Sequence, residues 1–328
     1  MKKYLLPFYL FTFLLSACID TQEKANTPSG NFEALWEIMD EHYCFFDYKK
    51  VDWNAVYNKY KVRVSDKMSS TQLFQVCCDM LGELRDGHVN LSSAMDYGRY
   101  WAWQEGYPKN YSDTLERRYL GTDYKIASGL YYRVLDDNIG YIRYESFSHA
   151  IGEGNLDDVL SYLALCRGLI IDIRNNGGGD LTNAERLAAR FVHEKTLVGY
   201  MRHKTGTGHN DFSELEPIYL EPSSNIRWHK PVCVLVNRSV YSAANSFAVY
   251  MHALSNVRLV GDHTGGGSGL PMSNSLPNGW SVRYSSCPMY DKDQHQTEFG
   301  IAPDVEVSIG SSLTEDNIIE TARKIVKQ

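Results

Sequence analysis

The sequence contains no lysine/arginine-rich run, no internal repeat and no low-complexity block. This argues against a nucleic-acid scaffold or a solenoid. The formal net charge of −7 over 328 residues also argues against a nucleic-acid partner. No cysteine/histidine spacing fits a zinc site, so no metal is expected. The glycine clusters lack both the G-x-G-x-x-G spacing and the Lys-Ser/Thr ending of a phosphate loop, and no cofactor is expected. The N-terminal apolar run, Tyr4 to Leu15, is too short for a comfortable transmembrane helix. What remains is ordinary globular composition, 43% hydrophobic and 22% charged, with enough chain for about two domains. The 23 tyrosines and six tryptophans suggest aromatic-lined surfaces as well as core.

The N-terminus is expected to be an address. Lys2 and Lys3 precede the apolar run, and Leu15-Ser16-Ala17-Cys18 follows as small residues leading into a cysteine. That pattern predicts a secretory signal over residues 1–18 with a bacterial lipoprotein cleavage box. Cys18 would bear the lipid and anchor the chain to a bilayer in a bacterial cell envelope. Residues 19–30 are polar and predict a tether. A plain secretory signal with an incidental cysteine is the alternative. Six further cysteines, an even number, allow disulfides in an exported protein, but without small-domain spacing. Cys233, inside an apolar run, is expected to be simply buried.

Apolar periodicity predicts helices over Asn31 to Tyr43, after Asp52 and after Ser70, so residues 31–112 are expected to form a small helical domain. From residue 113 to 328 strands alternate with helices. Strands are expected at Gly129 to Val134, Ile139 to Tyr144, Gly168 to Arg174, Val232 to Val236 and Val257 to Val260. Helices are expected at Leu156 to Leu165, Asn183 to Phe191, Ser242 to Leu254 and after Thr314. Asn278-Gly279 marks a hairpin turn before a strand over Trp280 to Ser285. The stretch from Tyr97 to Tyr119 shows no clean period. It fits a linker, a substrate-facing surface or a hairpin. The fold class is therefore mixed α/β.

Three joins between elements can carry chemistry. Asn175-Asn176-Gly177-Gly178-Gly179 follows an apolar strand, and its bare backbone could present the amide of Gly177 or Gly178 to an oxyanion. A plain loop is the bland alternative. Asp86-Gly87-His88 puts an imidazole just past a turn, where it could serve as a general base; a surface histidine is the commoner outcome among ten. Ser242 sits at a helix start. It could be an ordinary N-cap or a nucleophile, with the Ala243 amide as a second oxyanion donor.

Taken together, Gly168 to Gly179, Tyr241-Ser242-Ala243-Ala244 and Gly300-Ile301-Ala302-Pro303-Asp304 resemble the tail-specific (C-terminal-processing) and tricorn-core serine peptidases, over roughly residues 31–328. The resemblance implies a crotonase-like ββα core with a helical N-terminal part, and Ser242 as nucleophile. One branch of that family uses a lysine base in a loop after the serine helix. Here the loop reads Thr264-Gly265-Gly266-Gly267-Ser268, with Gly267 in the lysine's place. The tricorn-like branch uses a histidine in an Asp-Gly-His segment, present as Asp86-Gly87-His88, so the resemblance implies a Ser242–His88 pair. It also implies an orienting glutamate, for which Glu298 is the nearest match. Asn245 stands where family members often carry glutamate. No PDZ-like insert is evident between His88 and the strand at Gly129.

The expected activity is hydrolysis of a peptide or protein substrate through an acyl-enzyme on Ser242, with the rate rising through the histidine's ordinary titration range. Two other readings use the same residues: a non-catalytic ligand- or peptide-binding protein, and crotonase-type acyl-CoA chemistry. Export of the chain ranks the second low.

Overall fold

The computed structural model describes residues 24–327; Cys18, the signal segment and the first part of the tether lie outside the described residues. The chain opens with α1 (Pro28–His42), α2 (Phe46–Lys49), α3 (Trp53–Lys61) and α4 (Ser70–Gly82). Two short strands follow, β1 (Asn90–Ser92) and β2 (Tyr97–Arg99), then a 3-10 turn (Ala102–Gln104) and α5 (Asp113–Leu120). Next come β3 (Lys125–Ala127), β4 (Leu130–Val134), β5 (Gly140–Tyr144), α6 (Glu153–Leu163), β6 (Leu169–Asp172) and α7 (Leu181–Ala188). After these lie β7 (Thr196–Met201), β8 (Glu216–Leu220), β9 (Val232–Val236), α8 (Ala243–His252) and β10 (Val257–Gly261). The chain finishes with β11 (Gly269–Ser275), β12 (Ser281–Tyr290), β13 (Val305–Glu306) and α9 (Asn317–Ile325).

Seven strands form one sheet in the order β13-β10-β9-β6-β5-β4-β3, parallel from β13 to β5 and antiparallel at β4 and β3. Its central strand β9 is apolar throughout, and β5 and β6 are largely so, because both faces are covered. Val232, Val234 and Val236 of β9 point into the core shared with α6, α7 and α8. Cys233 and Leu235 point the other way, against Ile318, Ile319 and Ala322 of α9. The period-two alternation divides one apolar run between two cores. Cys233 is buried as expected, and the six cysteines from Cys44 to Cys287 are free thiols.

A second sheet runs β2-β1-β12-β7-β8, with β11 also paired to β12. The Asn278-Gly279 turn is present: Gly279 has φ +83° and the Leu276 amide donates to the Trp280 carbonyl at 2.8 Å. This sheet joins the two halves of the sequence. Phe32, Leu35, Trp53, Phe74 and Leu81 of the N-terminal helices share a core with Leu276, Trp280, Val282 and Tyr284. Residues 31–112 thus complete their core with β12 instead of closing on themselves.

Several helix starts differ from expectation by a residue or two. Asp52 caps α3 as expected, by accepting from the Ala55 amide. For α4 the cap is Ser69, whose hydroxyl accepts from the Gln72 amide while Gln72 returns the bond, a capping box that Ser70 could not have made with Gln72 in register. α7 starts at Leu181, two residues before Asn183, with Asp180 as its cap, and Asp316 caps α9 two residues after Thr314. Within the stretch from Tyr97 to Tyr119 the structure forms β2, the 3-10 turn and most of α5.

Candidate active site

The site lies where the parallel sheet's loops meet the second sheet. At the end of β6, Arg174 is buried and paired with Asp172 at 2.6 Å and with Asp316 at 2.7 Å, which ties the strand end to the start of α9. The glycine loop leaves from this anchor. The buried Asn176 side chain spans it, donating to the Tyr144 carbonyl at 3.0 Å and accepting from the Gly178 amide at 2.9 Å. Gly178 runs so close to α8 that a Cβ there would sit 2.8 Å from the Ser242 Cβ and 2.9 Å from the Ala243 nitrogen. Only glycine permits that approach, at φ +99°.

Ser242 stands between this loop and the next one. Its amide donates to the Gly266 carbonyl at 2.8 Å, while the Tyr241 amide donates to Asn176 at 3.1 Å. The residue is held at φ 58°, ψ −129°, a conformation non-glycine residues avoid, and its hydroxyl makes no capping bond to α8. The N-cap alternative therefore fails: the hydroxyl is directed elsewhere. It meets His88 Nε2 at 2.9 Å, across 154 residues of sequence.

Asp86 explains the local shape of the Asp-Gly-His turn. Its Oδ1 accepts from the His88 amide at 2.8 Å, an Asx turn that fixes the backbone carrying the imidazole. Its Oδ2 accepts from Tyr43 at 2.9 Å and Ser285 at 3.0 Å, and Lys49 lies 3.2 Å away. His88 is almost fully buried, and burial pushes its pKa down to about 4; Asp86 opposes this, while Arg283 and Lys49 add to it. The imidazole is therefore neutral at ordinary pH. Its Nδ1 has no hydrogen-bond partner among the described residues; the Gly269 backbone is near enough to favour the charged ring but not in bonding geometry.

Glu298 is in the site but does not touch His88, which corrects the expectation that it orients the ring directly. Its Oε1 pairs with Lys49 at 2.7 Å and its Oε2 accepts from the Ser268 amide at 2.9 Å. Lys49 is thus one buried cation serving two buried carboxylates. Burial penalises Asp86's charge, but Lys49 and then His88 outweigh it and hold its carboxyl below the usual range. Burial, with the nearby Asp86 charge, pushes Glu298 up despite Lys49. One cation stabilises one charge fully, and Asp86 is the carboxylate that keeps it.

The oxyanion donors also change. The Gly178 amide is already given to Asn176, so it is not available. The Gly177 and Ala243 amides have no partner among the described residues. Ala243 is the first residue of α8, where amides are unpaired and the helix dipole favours negative charge. Of the residues expected from sequence, Ser242, His88, Gly177 and Ala243 are brought together; Gly178 shapes the loop, and Glu298 acts through Lys49.

Gly267 shows why no lysine could serve here. It has φ +76°, and a Cβ would fall 2.3 Å from the Tyr241 ring. Asn245, fully buried, donates to Ser268 at 3.0 Å and accepts from the Thr264 hydroxyl at 2.6 Å, so it braces the loop under the nucleophile. Lys49 and Asn176 were missed from sequence. Asn176 was quoted only as loop, and nothing in a four-residue helix links Lys49 to residues 86 and 298.

Two cavities flank the Ser242–His88 pair, of about 570 Å³ and about 300 Å³, and both reach Gly179 and Arg283. Tyr97, Trp101 and Trp103 line the larger, so part of the unpatterned aromatic stretch faces the cleft. No cluster among the described residues could hold a metal ion.

An elbow serine at a helix start, a histidine at bonding distance and free amides beside them define a site of the serine-hydrolase class. Residues 138–307 match the model of peptidase family S41, and residues 25–82 match the tricorn protease C1 domain. The chain belongs to peptidase family S41. Among solved structures it is similar to a protein of Parabacteroides merdae described provisionally as a peptidase, at 50% identity and a TM-score of 0.88, covering 93% of this chain and 98% of that one. It shares its fold with mature CPAF, at 13% identity and a TM-score of 0.66, covering 92% and 96% of the two chains. It is 27% identical over 183 residues to the carboxy-terminal processing protease CtpA of Bacillus subtilis, which is 55% of this chain and 37% of that protein. The chain thus spans little more than a third of the length of that curated relative.

Proposed function

We propose that the protein is a serine peptidase in which Ser242 attacks a peptide carbonyl and His88 is the general base. The 2.9 Å contact between Ser242 Oγ and His88 Nε2 carries this reading. Oγ forms a bond to the carbonyl carbon as its proton passes to Nε2, which is unprotonated at neutral pH. The amides of Gly177 and Ala243 would receive the oxyanion, with no reorganisation at that moment. The C–N bond then breaks and Nε2 returns the proton to the leaving amine. Water, activated by the same imidazole, releases the acid and restores the serine.

Tyr241, stacked on Trp103 with ring centroids 4.2 Å apart, and the Asp86 turn keep the imidazole from swinging away. We further propose, from the sequence pattern, that Cys18 anchors the chain to a membrane of the cell envelope. Labelling with palmitate and mass analysis of the mature N-terminus would check this, and an unlabelled chain would refute it.

The test of activity is a fluorophosphonate probe together with a casein-derived peptide pool. The wild type should label at Ser242 and cleave; Ser242→Ala should do neither, with hydrolysis down by about 10⁴-fold or more. A wild type that binds peptides yet neither labels nor cleaves them would sink the proposal and leave a binding protein.

A further inference from the structure

The second sheet sets three polar residues side by side. Asn90 on β1 lies opposite Arg283 on β12 and opposite Arg99 on β2. Directly opposed residues share a face, and all three line the larger cavity beside Ser242 and His88. Arg283 also lines the smaller one. Asn90 is fixed between the two cations, with its amide donating to Gly87 and its oxygen accepting from Tyr97 at 2.6 Å.

Of the arginines that carry no ion pair among the described residues, these two are the ones that line the cavity beside Ser242. Arg143, Arg174, Arg190 and Arg323 are each paired with a carboxylate. Arg99 and Arg283 have no carboxylate partner among the described residues; Arg99 lies over the Trp101 ring at 3.5 Å instead. No aspartate or glutamate among the described residues lines the larger cavity. In the smaller, Asp180 is turned to the amide and hydroxyl of Thr182. A chain of net charge −7 therefore keeps two unneutralised guanidinium groups in the cleft where its substrate would lie. Guanidinium forks match carboxylates with paired hydrogen bonds.

We infer that Arg99 and Arg283 select peptides bearing a carboxylate close to the scissile bond. This rests on the peptidase reading above. The carboxylate has two sources, an Asp or Glu side chain or the free C-terminus of a short tail, and the two guanidinium groups serve either.

The test uses three fluorogenic peptides of one backbone: glutamine-bearing with an amidated end, glutamate-bearing with an amidated end, and glutamine-bearing with a free end near the cleavage point. At low ionic strength, kcat/KM for one of the acid-bearing peptides should exceed the neutral one by about tenfold or more. Which peptide gains identifies the source. Salt at about 0.5 M should shrink the ratio. Arg283→Gln and Arg99→Gln should bring it towards one, and Arg283→Lys should keep part of it. The ratio is the readout because Arg283 also disfavours the charged form of His88 and so affects any single rate. The same peptides are titrated against Ser242→Ala, where binding is read without turnover. If nothing is cleaved, the peptidase reading fails and the binding ratio still decides selection. A ratio near one in the wild type, or a ratio the arginine substitutions leave intact, overturns the inference.

Discussion

Lys49→Met removes the cation between Asp86 and Glu298 while keeping most of the side-chain volume. The lysine side chain is 2% exposed and its two partners are at most 4% exposed, so water cannot take its place. Breaking a buried ion pair by deleting one member costs about 3–5 kcal/mol, because the survivor's charge is left in a poor medium. Here there are two survivors, and the penalty depends on pH. Without Lys49 both carboxyls titrate above their unfolded values. A raised carboxyl contributes stability below its unfolded pKa and loses it as pH rises through the folded one. The deficit relative to wild type should therefore reach about 3–5 kcal/mol near pH 8 and shrink to about 1–2 kcal/mol near pH 5, where the carboxyls accept protons and mainly the lost hydrogen bonds count. Urea unfolding at the two pH values, compared at constant m, measures this. Adding Glu298→Gln to Lys49→Met should recover about 1–3 kcal/mol at pH 8 by removing one stranded charge. Equal deficits at both pH values, or a double variant less stable than Lys49→Met, would refute the assignment of Lys49 as the shared counter-ion.

The remaining predictions concern the site. With His88 held down to about 4, the base is neutral above that pH, so kcat/KM should rise through about pH 4 and stay level from about pH 5 to 8. The sequence alone suggested a rise near the ordinary histidine value; a midpoint there would show that the ring is solvated in solution. Asn176→Ala frees the Gly178 amide and loosens the loop, and should lower kcat by about 10–100-fold with a smaller change in KM, measured per active site after fluorophosphonate titration so that unfolded enzyme is not counted. Asn245→Glu places an acceptor-only group against Ser268 and the Thr297 carbonyl, and should destabilise the fold by about 1–3 kcal/mol in thermal or urea unfolding. An unchanged midpoint would show that Asn245 is not a brace.

The sequence by itself determined the elements whose pattern is local. The apolar run at Val232 to Val236, the Asp52 cap and the Asn278-Gly279 turn each depend on side chains within a few residues of one another. Ser242, Gly177, Ala243 and the Asp-Gly-His turn were legible for the same reason, since each is a short motif with one backbone requirement. Gly267 marked the missing lysine, but only the Tyr241 ring packed beneath it explains why. The second sheet was not legible as a whole because β1 and β7, with β2 and β8 paired to them, reach β12 only across a long stretch of sequence. Tertiary structure alone decided that residues 31–112 complete their core on β12, and that Glu298 faces Lys49 instead of His88. It also decided that Asn176 consumes the Gly178 amide, that burial takes His88 far below its ordinary pKa, and that two arginines from distant strands face one cleft. These depend on burial and on distance through space, which neighbouring residues in the chain do not encode.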